Sequence, residues 1–300
     1  MKKIILSIVL LVTVLQVQAQ KDFQGVAVYE SKTSTDDIKA NMGRAGREMT
    51  PDMQKMIEER MKKMFEKTFI LNFDKSASIY KEEEKLDAPG TQGGGGMGRM
   101  MSSFTGGGGT MYKNVKEKTY TSDKEFMGKK FLVHDSLSAL NWKMGSETKQ
   151  IGGYTCYKAT AVKPVSKSDF RNFRRRNTDD KSNNKKEDEK KEEDRATNIL
   201  KDIEIPKEIL VTAWYTPEIP VNQGPDSYWG LPGLILEVND GRTTILCSKI
   251  VMNAKDKVEI KAPQGGKILT QKEYDEIVIK KMEEMRNTNA NGRREMRIGG

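Results

Sequence analysis

His134 is the only histidine in a chain of 300 residues, so a multi-histidine metal site is excluded and a serine, histidine and acid relay would have to be built on one ring. Its neighbours Asp135 and Ser136 do not build it, because consecutive residues of a strand point to opposite faces. A polar histidine at a strand end is the reading they support. Asp and Glu number 43, yet no two stand at a spacing that marks an acid and base couple, and such couples are defined by separation in space. In the run Leu234 to Val238, alternation turns Glu237 away from the face that holds Leu236 and Val238. The glycine runs 93–96 and 106–109 lack both the Lys-Ser or Lys-Thr ending of a phosphate loop and the strand, turn and helix context of a dinucleotide site. Arg171, Arg174, Arg175 and Arg176 form a basic cluster around Phe173, followed by acidic residues that nearly cancel it, which reads as a solvated loop and not as a nucleic-acid surface. No catalytic residue, metal ligand or cofactor emerges from these patterns.

Two groups of residues carry more information. Cys156 and Cys247 lie in strand-like segments, where two readings stand side by side: a disulfide, given an oxidising compartment, or two buried thiols acting as small apolar side chains. The second group is the stretch Trp214 to Asp240. Pro217, Pro220, Pro225 and Pro232 fix φ and lack amide donors, whereas Gly224, Gly230 and Gly233 permit left-handed or closely packed backbone, so 216–233 is neither regular strand nor helix. It reads as a rigid, shaped connection that delivers Leu234 to Val238 into a sheet. Trp214, Tyr228 and Trp229 either line a concave site for a lipophilic or glycan ligand or pin this connection to the core.

The elements that must hold these residues are mostly strands. Segments 23–29, 69–73, 76–80, 112–121, 124–133, 154–162, 209–215, 234–238 and 243–251 are rich in β-branched and aromatic residues. Asn239-Asp240-Gly241 predicts a hairpin between Leu236 and Ile245. Two helices interrupt the meander. Thr50 and Pro51 open one in which Met53, Met56, Ile57, Met61, Met64 and Phe65 recur at helical spacing, with core packing as the expected use of the stripe. Thr270 and Glu273 form a capping box ahead of a second, with Tyr274, Ile277, Val278, Lys281, Met282 and Met285 on one face. The fold class expected is mainly β (α+β): a single curved antiparallel sheet or open barrel with one or two helices packed on the concave face.

Hydrophobic residues make up 36% and charged residues 32% of the chain, with a net charge of +9 and a mean hydropathy of −0.70, which excludes a polytopic helical membrane protein. Lys2 and Lys3 precede an apolar run from Ile4 to Leu15 and a small-residue site ending at Ala19, the pattern of a secretory signal peptide over 1–19. Twelve apolar residues are too few to span a bilayer as a helix, which takes about 20. Residues 20–286 then form one β domain, with low-complexity insertions expected at 88–110 and 164–205 and a polar tail at 287–300.

Gly230-Leu231-Pro232-Gly233-Leu234-Ile235 is the hexapeptide that gives the GLPGLI family of exported bacterial proteins its name. Trp214-Tyr215-Thr216, Ile219-Pro220, Gly224-Pro225 and the stretch from Ile151 to Ala159 resemble that family's pattern too. The resemblance implies a Gram-negative source and a place in the periplasm, at the outer-membrane periphery or outside the cell. It carries over no catalytic residue, because the family is defined by sequence alone. The expected function is a non-enzymatic envelope protein that binds a lipophilic or glycan ligand or an outer-membrane protein, with no transmembrane span in the mature chain. The alternative is an envelope hydrolase acting on glycans or peptides through carboxylates that sequence cannot pair.

Overall fold

The computed structural model describes residues 23–35, 50–83, 109–165, 174–175, 203–204, 207–254, 258–281 and 284. The expected signal peptide, the tail and most of both insertions lie outside these residues.

One open sheet of twelve strands dominates the fold. In chain order the strands are β1 (Gln24–Thr33), β2 (Glu66–Asp74), β3 (Ala77–Glu82), β4 (Thr110–Asn114), β5 (Thr119–Phe126), β6 (Lys129–Ser136), β7 (Lys143–Ile151), β8 (Tyr154–Pro164), the two-residue β9 (Arg174–Arg175) and β10 (Ile203–Glu204), then β11 (Glu208–Thr216), β12 (Leu234–Asn239), β13 (Thr243–Met252) and β14 (Lys267–Leu269). The spatial order is β14-β6-β5-β4-β3-β2-β1-β13-β12-β11-β8-β7, while β9 and β10 pair with each other in a separate ribbon. Every pairing in the large sheet is antiparallel except β14 with β6. The mainly β class and the open sheet are as the residue patterns predict.

Local chemistry sets the register. Asp74 Oδ1 accepts from the Ser76 and Ala77 amides at 2.6 and 2.7 Å, closing the β2–β3 turn as an Asx side chain does. Asp240 Oδ1 accepts from Arg242 and Thr243 and Gly241 has φ +87°, which forms the expected β12–β13 hairpin. Two expected segments, 112–121 and 124–133, are instead three strands. The Asn114 side chain accepts from the Lys116 and Glu117 amides, and Met127 and Gly128 turn at φ 53° and 74°, so the breaks fall inside the expected segments. β7 was not legible because it is a polar edge strand, almost wholly exposed, with a bulge between Met144 and Thr148; charges and bulges are how edges resist unwanted pairing.

Helix α1 (Pro51–Phe65) starts at Thr50, whose side chain accepts from the Met53 amide. Its apolar stripe does not pack along its whole length: Met61 is buried, but Met53 and Met56 are about half exposed. The helix runs directly into β2 and is held at that end. Helix α2 (271–281) has the expected capping box, with Glu273 Oε2 accepting from the Thr270 amide at 2.7 Å. Its Tyr274 and Val278 close a small second core with Phe126, Phe131, Val133 and Leu269. The main core lies elsewhere. It gathers Ala27, Tyr29, Leu71, Phe73, Ala159, Val211, Ala213 and the β12 residues around side chains of the 217–233 loop.

Candidate functional site

The Pro- and Gly-rich connection between β11 and β12 sends Ile219, Val221, Tyr228 and Leu231 into the main core, unlike most loops, which run over the surface because their backbone needs partners. Ile219, Val221, Gln223, Tyr228, Trp229 and Leu231 are all buried. The backbone finds partners within the loop and from the sheet. Leu234 and Ile235 amides donate to the Ile219 and Gln223 carbonyls at 3.0 and 3.1 Å, and the Gly230 amide donates to Asn222 at 3.2 Å. The Tyr29 hydroxyl donates to the Ile235 carbonyl at 2.7 Å, and its burial pushes the phenol well above its ordinary pKa.

Two tryptophans interlock at the tip. Trp229 Nε1 donates to the Ser138 carbonyl at 3.0 Å, while Trp142 Nε1 donates to the carbonyl of Trp229 at 2.9 Å. Tyr228 is buried beneath Lys163, whose Nζ lies 4.5 Å from the ring centroid. Trp214 is not brought to this group. It sits across the sheet from Glu237 in the β11–β12 register, with Lys149 Nζ 4.4 Å from its ring and 2.6 Å from Glu237 Oε2. Of the three aromatics, then, Tyr228 and Trp229 are buried, and Trp214 packs half-buried against the main core with Lys149 and Glu237 beside it.

Within the hexapeptide, Leu231, Leu234 and Ile235 are fully buried, and Gly230 and Pro232 face solvent. Gly230 has φ +91°, a conformation that favours glycine. Gly233 is required for a different reason. A Cβ there would lie 2.2 Å from the Thr216 carbonyl oxygen and 2.9 Å from the Pro217 nitrogen, because the two ends of the loop close on each other at this point.

A residue that sequence reading passed over sits at the centre. Lys113 of β4 is completely buried, and its Nζ donates to the Gly224 and Tyr228 carbonyls at 2.5 and 3.0 Å. It spans the turn in which the Tyr228 amide donates to Pro225 and Asp226 has φ 47°. Opposite Lys113 in the register is Ser78, whose hydroxyl donates to Gln223 Oε1 at 2.8 Å. The signal in sequence was alternation: Lys113 stands between Met111 and Val115 on one face, where an apolar residue would be expected.

Burial lowers Lys113 from its ordinary 10.5 to about 7, with Asp226 opposing and Lys163 reinforcing the shift. Between those values the unfolded chain holds a proton that the folded chain has released, so stability should rise with pH from about 7. Cys156 and Cys247 act in the opposite sense: burial pushes their thiols from 9.0 up to about 11 and about 12, so the unfolded chain loses protons above about pH 9 that the folded chain keeps. Thermal midpoints measured from pH 6 to 11 are expected to climb to a maximum near pH 9 and then fall. Lys113→Met should abolish the climb and keep the fall; a wild-type midpoint that is flat or declining between pH 7 and 9 would contradict the assignment.

Both cysteines are free and buried, on β8 and β13, with β11 and β12 between those strands in the sheet. Their sulfurs lie 3.6 and 3.5 Å from the Tyr154 and Lys249 carbonyls. A thiol reagent should find two thiols in the denatured chain and none in the native one; a denatured chain without reactive thiols would establish a disulfide instead. Among the described residues, no group of three or more His, Cys, Asp or Glu is placed to hold a metal ion, and no helix is long and apolar enough to cross a membrane. His134 Nδ1 is 2.9 Å from Thr121 Oγ1, its cross-strand partner.

This loop lies within the part of the chain that matches a family model. Residues 142–237 match the model of a family described as "Protein of unknown function (Porph_ging)". No curated protein matches. Two solved structures of PNGF-II, in the C2 and P21 space groups, are similar at 14% identity and a TM-score of 0.44, each covering 86% of this chain. The chain spans about a third of the length of those proteins, 33% and 34%.

Proposed function

We propose that this is an exported cell-envelope protein of the GLPGLI type, located in the periplasm or at the outer-membrane periphery, that works by binding and not by catalysis. The observation that carries this reading is the use the loop makes of its functional groups. The Trp229 indole and the buried Lys113 amine are bonded to backbone carbonyls of the protein itself, Gln223 is bonded to Ser78 through Oε1, and Leu231, Leu234 and Ile235 of the hexapeptide are fully buried, so the loop and its hexapeptide serve architecture. Recognition falls to the outer surface of the sheet. There Val162 of β8 and Leu210 of β11, cross-strand partners, are 53% and 64% exposed, and an exposed aliphatic pair of this kind suits a lipophilic ligand or an apolar patch on an outer-membrane protein.

Two measurements test the proposal. Protein taken from native envelopes should begin at Gln20 and carry a co-purifying lipid or protein identifiable by mass spectrometry. Leu210→Asp combined with Val162→Asp should abolish that co-purification while leaving the unfolding midpoint unchanged. Retention of the bound material by the double variant, or an intact Met1, would count against it.

A further inference from the structure

Strand register lays out the exposed face of β8 and β11 in rungs. Directly opposed residues of an antiparallel pair share a face, and successive rungs on one face lie about 7 Å apart along the strands. On the face turned away from the buried Ala159, Ala161, Val211 and Ala213, the rungs are Pro164 with Glu208, Val162 with Leu210, Thr160 with Thr212, and Lys158 with Trp214. β7 adds Lys143 to the third of these, opposite Thr160. The exposed aliphatic pair Val162 and Leu210 therefore lies between a rung that carries a carboxylate and a rung that carries an ammonium group and two hydroxyls.

The polar groups of this face differ in whether the protein itself uses them. Lys149 Nζ lies 2.6 Å from Glu237 and Lys158 Nζ 2.8 Å from Glu147, so each of these lysines is neutralised by a glutamate beside it. Among the described residues, the side chains of Lys143, Thr160 and Thr212 have no hydrogen-bond or ion-pair partner, and neither has Glu208. Lys143 is exposed and the two threonines are half-buried. The Lys143 rung is thus a row of free donors with a single positive charge, and it borders an apolar patch. Its complement is an oxyanion with a single negative charge at the end of an apolar chain, since a charge-assisted hydrogen bond selects the head while apolar burial is indifferent to it. A phosphate monoester carries about −1.5 to −2 at neutral pH and would leave charge uncompensated here. Glu208, on the far side of the aliphatic pair, repels an anionic head and so sets the direction in which the chain lies.

We propose that this face binds a long-chain carboxylate, its head on Lys143, Thr160 and Thr212 and its chain across Val162 and Leu210. The assignment rests on the reading of the outer sheet surface as the recognition surface, and it names the class of ligand that this surface selects.

Calorimetric titration of the purified protein with decanoate, decanol and decyltrimethylammonium, three probes with one chain length and different heads, tests it. Decanoate is expected to bind at least tenfold more tightly than decanol, and the cation most weakly. Lys143→Gln should bring decanoate down to the affinity of decanol with the unfolding midpoint unchanged, and Leu210→Asp should abolish binding of both. Equal affinity for the three heads, or a preference for decanoate that survives in Lys143→Gln, would overturn the head site while leaving an apolar contact at Val162 and Leu210 standing. Absence of binding by every probe, or binding that Leu210→Asp does not reduce, would overturn the proposal together with the apolar recognition surface on which it rests.

Discussion

Trp229→Ala is expected to lower the free energy of unfolding by about 3 to 5 kcal/mol, the range for truncating a large buried aromatic side chain. Trp229 is 7% exposed, and its indole nitrogen is bonded to the Ser138 carbonyl. Truncation therefore leaves a cavity and a carbonyl without its donor, two penalties of separate origin. The Trp142 indole bond to the Trp229 carbonyl involves only backbone at 229 and survives the change. Urea or guanidinium unfolding of purified wild-type and variant protein gives the difference directly. A midpoint unchanged by the substitution would mean that the side chain is held for a ligand and not for the loop.

Gly233→Ala is expected to be as damaging although it adds one methyl group. The Cβ would meet the Thr216 oxygen at 2.2 Å and the Thr216 carbon at 2.5 Å, and neither is the end of a flexible side chain that could swing away. Relief requires the loop ends to separate, which pulls on the Leu234 and Ile235 amide bonds to the loop. A loss of about 3 kcal/mol or more follows from overpacking against fixed backbone. Gly230→Ala is a useful comparison, since its φ of +91° makes the substitution strained while its nearest neighbour, Trp142 Nε1, is 3.9 Å from the added carbon. It should cost about 1 kcal/mol, the usual result of placing Ala where φ is positive. Equal losses at the two positions, measured by denaturant unfolding, would mean that close approach is not what selects glycine at 233.

The contrast between these two glycines marks where sequence reading stops. Alternating Pro and Gly before an apolar run showed that 216–233 is irregular and shaped, because both residues act through local backbone geometry. It did not show which glycine needs a positive φ and which needs an absent side chain, since the atom that excludes a Cβ at 233 belongs to Thr216, brought there by the closure of the loop. The same limit applies to Lys113. Its strand was legible, but its partners are carbonyls more than 100 residues away, and a lysine in a strand ordinarily points to water. Strands with apolar alternation and the caps of both helices were legible for the local reason that propensity and capping act over a few residues. β7 and β14 were not: one is a polar edge, and the other is three residues long and defined only by its pairing with β6. The helical Met stripe of α1 was real as a pattern, yet Met61 is buried while Met53 and Met56 are about half exposed, a difference that periodicity does not encode.

Native-state hydrogen exchange at the amides of Gly230, Leu234 and Ile235 tests the structural role of the loop most directly. Each donates to a carbonyl within the loop, so their exchange reports opening of the loop itself, and local and global opening separate by their free energies. If the loop is part of the core, these amides should exchange with the same opening free energy as those of Leu71 and Val211 in the central strands, and should lose that protection in Trp229→Ala. Exchange of the loop amides several kcal/mol more easily than the strand amides, with no change in the variant, would contradict the structural reading and make the loop a mobile element resting on the sheet.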